Sequence, residues 1–186
     1  MSAPKVRSAA PGDAEAMAQL HVETWEAAYR GMIPDAVMLR NDLEQRRLLW
    51  RGLLVEAERP PLVEVALLAE AEGARESLAG FVWSRRIDQA EAAFGAEIIA
   101  LNVRPAHWRR GIGRRLMAAS VGRLAGLGAE SVYLWVFREN AGARAFYESL
   151  GGRIVDEDVE RFGELVVPRV AYAWKPLSRL RAAMRP

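Results

Sequence analysis

The chain has 186 residues, of which 51% are apolar and 27% are charged, and its formal net charge is +2. This length and balance favour one globular domain with its own hydrophobic core. Cysteine is absent, and His21 and His107 are the only histidines. Disulfides, acyl-cysteine intermediates and a three-histidine metal centre are therefore excluded, and we expect no metal.

Charge and apolar runs also narrow the classes of partner. The only lysines are Lys5 and Lys175, and neither follows a glycine-rich loop, so a Walker-type nucleotide hydrolase would lack its phosphate-binding lysine. The small net charge gives little support for nucleic-acid binding. Asp13 and Glu15 interrupt the apolar residues near the start, and no apolar run approaches the length of a membrane span. We expect a cytoplasmic protein that binds neither nucleic acid nor membranes.

The first half of the chain combines helix and strand patterns. Met17, Leu20, Trp25 and Ala28 recur at helical spacing. The predicted elements are a strand over 5–9, a helix between the turn 10–13 and residues 31–34, a helical stretch over 35–58, and an antiparallel hairpin of strands 62–70 and 78–85 joined by a turn over 71–77.

The second half begins with a strand, a glycine-containing loop and a helix in succession. The run 132–137 is apolar on both faces, so we expect it inside a sheet covered on both sides and parallel to the strand before the glycines. The predicted elements are a strand over 96–103, a helix from the glycines to about 128, the strand 132–137, a helix over 141–150, strands over 153–158 and 165–174, and a basic, peripheral tail from 176.

Gly111 and Gly113 open the predicted helix. The unpaired N–H groups and the dipole of a helix N-terminus attract an anion, and small residues let a pyrophosphate approach the backbone. Arginines at 109, 110, 114 and 115 supply the charge that a phosphate-rich ligand needs. The alternative is a glycine turn with a solvated basic face. A dinucleotide fingerprint needs a small residue where Leu116 stands, so that interpretation fails.

The loop reads Arg109-Arg110-Gly111-Ile112-Gly113-Arg114 and follows Leu101-Asn102-Val103-Arg104-Pro105. It resembles the acetyl-CoA-binding motif of the GNAT superfamily, Q/R-x-x-G-x-G/A. The resemblance covers about 97–152 and continues through Leu134-Trp135-Val136, Asn140, Ala143, Phe146-Tyr147-Glu148 and Leu150-Gly151, while Trp25, Tyr29-Arg30-Gly31 and Pro34 are similar to the helical pair of many members. Two residues depart from the pattern: Trp108 replaces Gln or Arg, and Gly152 replaces a frequent aromatic residue.

The resemblance implies an α/β GNAT fold, with a central mixed, mostly antiparallel sheet splayed between its fourth and fifth strands and helices on both faces. One N-acetyltransferase domain would span 5–175, followed by the basic tail 176–186. The implied cosubstrate is acetyl-CoA. Its expected contacts are Leu101, Asn102, Val103, Arg109, Arg110, Gly111, Ile112, Gly113, Arg114, Asn140 and Tyr147. A backbone N–H at Val103 is expected to stabilise the oxyanion of the tetrahedral intermediate.

The family pattern also implies catalytic roles. Tyr147 would protonate the departing thiolate, Glu97 would act as the general base, and Trp25 and Tyr29 would border the acceptor site. Each residue has a structural alternative: Tyr147, Trp25 and Tyr29 as core aromatics, Glu97 as a solvent-facing strand carboxylate, and Asn140 as a helix N-cap.

The implied function is acetyl transfer from acetyl-CoA to a small-molecule or peptide amine by direct attack in a ternary complex. A non-catalytic acyl-CoA sensor of the same fold and a basic RNA-binding domain are the alternatives. The sequence identifies neither the acceptor nor the oligomeric state, and a homodimer is compatible with it.

Overall fold

The computed structural model describes residues 4–34, 38, 42–58, 60–69, 76–88 and 92–184. These residues form one sheet of seven strands in the order β1-β2-β3-β4-β5-β7-β6. In chain order the strands are β1 Lys5–Ser8, β2 Leu62–Leu68, β3 Ser77–Arg86, β4 Ala96–Val103, β5 Val132–Phe137, β6 Arg153–Phe162 and β7 Leu165–Trp174. All neighbouring pairs are antiparallel except β4 and β5, which are parallel. The expected mixed, mostly antiparallel α/β fold is confirmed.

The described segments contain five α-helices, four of them between strands and the fifth after β7. They are α1 Ala14–Tyr29, α2 Leu43–Arg51, α3 Ile112–Gly126, α4 Ala141–Ser149 and α5 Leu177–Ala183. Helix α2 is shorter than the predicted stretch 35–58, because Asp42 caps it by accepting a hydrogen bond from Gln45 N at 2.7 Å, and a π-helical turn follows at Gly52–Glu56. Most of 35–41 and of the predicted turn 71–77 lies outside the described residues. None of the described helices is long and apolar enough to cross a membrane.

The helices cover both faces of the sheet. The apolar residues of α1 and α2 form one core cluster with β2 and β3, which includes Trp50 and Phe81 with their rings 4.8 Å apart. The apolar residues of α3, α4 and α5 form a second cluster on the other face, which includes Leu116, Tyr172 and Trp174. This two-sided burial supplies most of the stabilisation expected for an α/β layer architecture.

Strand β5 is buried unequally on its two faces. Val132, Leu134 and Val136 are buried in the α3 cluster, whereas the alternating aromatic residues at 133, 135 and 137 are only half-buried. The expectation of full cover on both sides is therefore wrong for one face. That half-open face adjoins α1 and forms part of the site described below.

The parallel strands β4 and β5 separate after a single pairing. Glu97 is opposite Tyr133, and no further pair follows between the two strands. The register of β4 against β3 shifts between Trp83 and Ser84, so that Ile99 is an extra, bulged residue of β4 and lies 36% exposed. A bulge bends a strand and increases its twist. The splay between the fourth and fifth strands implied by the family pattern is present, and the bulge at Ile99 accompanies it.

The basic segment after residue 175 differs from the expected peripheral tail. Leu177 and Leu180 of α5 are buried in the α3 cluster. Leu177 N donates to Glu130 O at 2.7 Å, and the Arg114 guanidinium of α3 donates to Ala183 O. Two buried leucines at i, i+3 place an apolar stripe toward α3, so this segment is part of the core and only its arginine face is exposed.

Glycine is required at position 152, where the family often carries an aromatic residue. A Cβ there would lie 2.7 Å from the Trp174 ring and 2.9 Å from Tyr147 O. The Trp174 indole fills this space and donates to Leu150 O at 2.9 Å. The aromatic packing is thus supplied from β7 instead.

Candidate active site

The separation of β4 and β5 leaves main-chain groups of β4 without a strand partner. Arg104 N donates to Ala79 O of β3 at 2.8 Å. Hydrogen-bonding direction alternates along an antiparallel strand, so Asn102 also directs its N–H and C=O toward β3, whereas Leu101 and Val103 direct theirs into the gap. Of the three contacts expected on β4, Leu101 and Val103 retain main-chain groups for a ligand, and Asn102 retains its side chain.

Trp108, which replaces the Gln or Arg of the motif, hydrogen-bonds to this same edge. Its indole Nε1 donates to Val103 O at 2.6 Å, while the residue remains 45% exposed. The Val103 carbonyl is therefore occupied by the chain itself. The N–H groups of Leu101 and Val103 and the Leu101 carbonyl are the main-chain groups left for a ligand.

The loop before α3 has the conformation of an anion site. Arg109 and Gly111 have positive φ angles of 63° and 76°, and residues of alternating handedness turn successive N–H groups toward one point. Gly111 caps α3 without a side-chain hydrogen bond, the first turn has no acidic residue, and Arg115 N is the first amide bonded within the helix, to Gly111 O at 3.1 Å. The backbone N–H groups of residues 112–114, which precede Arg115 in the helix, are therefore available to an oxyanion.

The arginines around this loop lack carboxylate partners in the described part of the chain. Arg109, Arg110, Arg114 and Arg115 are all exposed, and the contacts found are from Arg110 to His107 Nδ1 at 3.5 Å and from Arg114 to Ala183 O. Ile112 is buried, so only its main chain can face a ligand. The charge near the loop is uncompensated, which suits a phosphate-bearing ligand.

Helix α1 bridges the mouth of the gap. Thr24 Oγ1 lies 2.8 Å from the side-chain Oδ1 of Asn102 on β4. Trp25 and Tyr29 stack edge-on against Phe137 at the end of β5, with ring centroids 6.2 and 5.0 Å apart. Thus α1 holds both diverging strands, and the two aromatic residues expected at an acceptor site do lie at the gap.

Tyr147 and Asn140 lie beside this aromatic cluster. Tyr147 is only 8% exposed, and its ring packs against Tyr172 and Trp174. Burial, aided by the nearby Tyr29, raises the pKa of Tyr147 far above its usual value of 10, so its hydroxyl stays neutral. Asn140 caps α4 by accepting from Ala143 N at 3.1 Å, and its side chain also bonds Tyr29. The N-cap alternative for Asn140 is therefore present, and contact with a cofactor is compatible with it.

Glu97 lies at the closed end of the gap. Its Oε2 accepts from Arg85 Nε at 2.7 Å and from Arg85 Nη2 at 2.6 Å, and its side chain is 13% exposed. Burial and then the Glu97 charge raise the pKa of the adjacent Tyr133. At about 3.3 Å per residue, Leu101 is about 13 Å and Val103 about 20 Å along the strand from Glu97. Glu97 is a paired carboxylate rather than a solvated one, and it can reach the gap only through water.

A cavity of about 730 Å³ opens on the half-covered face next to Glu97. Arg85, Phe94, Tyr133, Trp135 and Asp156 are among its lining residues. Arg85 and Tyr133 are also the two neighbours of Glu97. This mixed aromatic and charged lining suits a small polar molecule.

Several residues of the site were not singled out from the sequence. Thr24, Arg85, Phe137 and Tyr133 enter through the pairing of β3, β4 and β5 and the crossing of α1. The register that places Arg85 opposite Glu97 depends on the position of the bulge at Ile99, and no residue pattern in the sequence identifies that position. The alternating aromatics of β5 are the one signal that could have identified Tyr133 and Phe137.

The open edge of β4, the amides at the start of α3 and the exposed arginines around them together form a candidate site for a phosphorylated ligand. The family model "Acetyltransferase (GNAT) family" matches residues 16–152. The chain belongs to this family and is an acetyl-CoA-dependent N-acetyltransferase.

Individual relatives agree with this assignment. The uncharacterised N-acetyltransferase YuaI of Bacillus subtilis is 23% identical over 179 residues, which cover 96% of this chain and 97% of that protein. A mycothiol acetyltransferase of Clavibacter michiganensis is 36% identical over 117 residues, which cover 63% of this chain and 36% of the relative. The crystal structure of PaiA N-acetyltransferase from Thermoplasma acidophilum in complex with coenzyme A has a TM-score of 0.69 and 20% identity, over 90% of this chain and 98% of that one.

Proposed function

We propose that this acetyltransferase moves the acetyl group directly from acetyl-CoA to a primary amine, with both substrates bound at the gap between β4 and β5. The observation that carries the proposal is the open edge of β4 beside a buried, neutral tyrosine. Pantetheine would pair with Leu101 and Val103 as an added strand, and the phosphates would bind the amides at 111–113 and the exposed arginines. Asn140 would contact the cofactor while capping α4.

The proposed oxyanion donor is Leu101 N–H. Both Leu101 and Val103 direct an N–H into the gap, but Leu101 is two residues closer to Glu97 and to the cavity from which an acceptor would approach. A donor placed against a developing oxyanion is worth about 3 kcal/mol. Val103 N–H, the donor expected from the sequence, would then hold pantetheine instead.

Tyr147 is proposed as the general acid. The amine nitrogen attacks the thioester carbon, the carbon–sulfur bond breaks as the oxyanion collapses, and the sulfur takes the phenolic proton. The attacking nitrogen becomes positively charged, and the proton that it loses as the amide forms returns to the phenolate through solvent. The raised pKa of Tyr147 keeps the proton in place before reaction, and the developing thiolate supplies the local charge that draws it out.

The acceptor must react as a free base. For an amine with a pKa near 10.4, neutral pH imposes about 4 to 5 kcal/mol. Glu97 contacts Arg85 and Tyr133 of the cavity lining and can take this proton through water, which leaves a neutral carboxyl beside Arg85. Trp25 and Tyr29 would form the other wall of the acceptor site.

The test is acetyl-CoA turnover against a panel that contains a peptide with a free N-terminus, a polyamine, an amino acid and an aminoglycoside, with release of free thiol as the readout. We expect amine-dependent release that tracks acetylated product one to one. Tyr172→Phe is the matched control for Tyr147→Phe, because the Tyr172 hydroxyl is tied to Glu148 and Arg144 on α4. Thiol release without acetylated amine would contradict the proposal.

A further inference from the structure

Asn102 presents a side-chain amide at the mouth of the gap, on the face of β4 that adjoins α1. Thr24, which is 4% exposed, holds this amide from one side. No other hydrogen bond to the Asn102 side chain occurs within the described segments, so one end of the amide is open to the gap. The adjacent Leu101 N–H is the oxyanion donor proposed above.

Two orientations of the Asn102 amide are compatible with Thr24: in one, Thr24 Oγ1 donates to Asn102 Oδ1, and in the other the amide is turned by 180°. Thr24 Oγ1 lies 2.8 Å from Leu20 O, 3.2 Å from His21 O and 2.8 Å from Asn102 Oδ1. A hydroxyl has one proton, and a helical threonine usually gives it to the carbonyl four residues back. Two buried oxygens 2.8 Å apart with no proton between them would repel. Both are satisfied if Asn102 Nδ2 donates to Thr24 Oγ1, which turns Oδ1 toward the gap.

We propose that Asn102 Oδ1 accepts a hydrogen bond from the attacking amine. This hydrogen bond would orient the amine so that the lone pair of its nitrogen points at the thioester carbon. This inference rests on the proposed function. A neutral amide can bind an N–H without favouring the ammonium form, whereas a carboxylate at this position would stabilise the charged, unreactive amine. Asn102 would thus orient the free base next to the reacting carbon without adding the charge that keeps an amine protonated, and proton removal would be left to Glu97.

The difference in charge between an amide and a carboxylate allows the role of Asn102 to be tested. Asn102→Asp keeps the shape of the side chain and adds a negative charge that stabilises the ammonium form of the bound amine, so the acidic limb of the kcat profile against pH, which reports the enzyme–substrate complex, should move upward by about one pH unit. Asn102→Leu removes the acceptor oxygen and should lower kcat/KM about tenfold without moving that limb. Gln19→Glu makes the same amide-to-acid change on the exposed side of α1 and should alter neither.

The pH profiles are recorded with the amine that wild type acetylates fastest in the panel. The acetyl-CoA affinity and the urea midpoint of each variant are measured separately. We expect cofactor affinity within twofold of wild type. If Asn102→Asp and Asn102→Leu lose activity equally at every pH and in step with stability, Asn102 is only a tether for α1 and the inference is wrong. If wild type releases no thiol with any amine, the proposed function fails first and this inference falls with it.

Discussion

His21 makes folding stability depend on pH in a way that can be calculated. The side chain is 7% exposed between the rings of Trp50 and Phe81, at centroid distances of 5.8 and 5.5 Å, and its Nδ1 lacks a hydrogen-bond partner among the described residues. Burial, and then the positive charge of Arg46, lower the pKa of His21 from 6.5 to about 3. The folded protein therefore holds this imidazole neutral where the unfolded chain protonates it.

The direction and size of the change in unfolding free energy with pH follow from the difference between the folded and unfolded pKa values of His21. A lowered folded-state pKa gives stability that is complete above pH 6.5 and is lost as pH falls from there toward 3. With these two values, the free energy of unfolding falls by about 2 kcal/mol between pH 8 and pH 5 through His21 alone, and by about 3 kcal/mol at pH 4. The loss at pH 5 is set by the unfolded chain, since a folded-state pKa of 3 or 4 gives nearly the same result.

His21→Phe removes the titrating group and keeps a ring between Trp50 and Phe81. Urea unfolding of wild type and variant, followed by tryptophan fluorescence at pH 8 and pH 5, isolates the His21 contribution as a double difference, because all other titrating groups cancel. We expect the variant to lose about 2 kcal/mol less than wild type over this interval. Equal losses in the two proteins would show that His21 is not buried as a neutral side chain.

Three further perturbations test the site and the core. Tyr147→Phe should bind acetyl-CoA nearly as well as wild type in calorimetry but react about 10²-fold more slowly in single turnover, and an unchanged chemical rate would remove Tyr147 from the acid role. Glu97→Gln should lower turnover at neutral pH and recover toward alkaline pH, whereas a loss that is equal at every pH would point to positioning. Burial raises the pKa of Glu64, and the guanidinium of Arg123, 3.0 Å from the carboxylate, opposes this effect. Arg123→Met should therefore lower the free energy of unfolding in urea by about 2 kcal/mol above pH 6, and by less below pH 5 where Glu64 is protonated. Adding Glu64→Gln to this variant should restore most of the lost stability, and additive effects of the two substitutions would disprove the coupling.

The strands and the main helices could be predicted because their signals are local. Apolar residues on both faces of 132–137 predict a strand, and the helical spacing of apolar residues predicts α1. The glycines at 111 and 113 indicate where α3 begins. Strand β4 was predicted with the bounds that the structure has, 96–103. The parallel pairing of β4 with β5 also followed from the sequence, since a helix connects them.

The remaining features depend on contacts between distant residues. The direction of the Asn102 main chain depends on register, and the role of Trp108 depends on the carbonyl that its indole meets. The residues after 175 looked peripheral because arginines dominate them, yet two leucines at i, i+3 were enough to place α5 in the core. Roles of Tyr147, Glu97 and the cofactor contacts remain predictions that the geometry supports.

Acetyl-CoA is proposed to bind with its phosphates at the start of α3, and a pair of glycines at the two ends of that helix allows this placement to be tested. Gly111 and Gly128 have φ angles of 76° and 85°, and a Cβ at either would meet no atom within 4 Å. Valine at either position therefore imposes a similar backbone strain, but only Gly111 belongs to the phosphate loop. Calorimetric titration with acetyl-CoA should show affinity lowered at least tenfold in Gly111→Val and within twofold of wild type in Gly128→Val, with similar losses of stability. Equal affinities in the two variants would contradict this placement of the cofactor and the acetyl-CoA site proposed between β4 and β5.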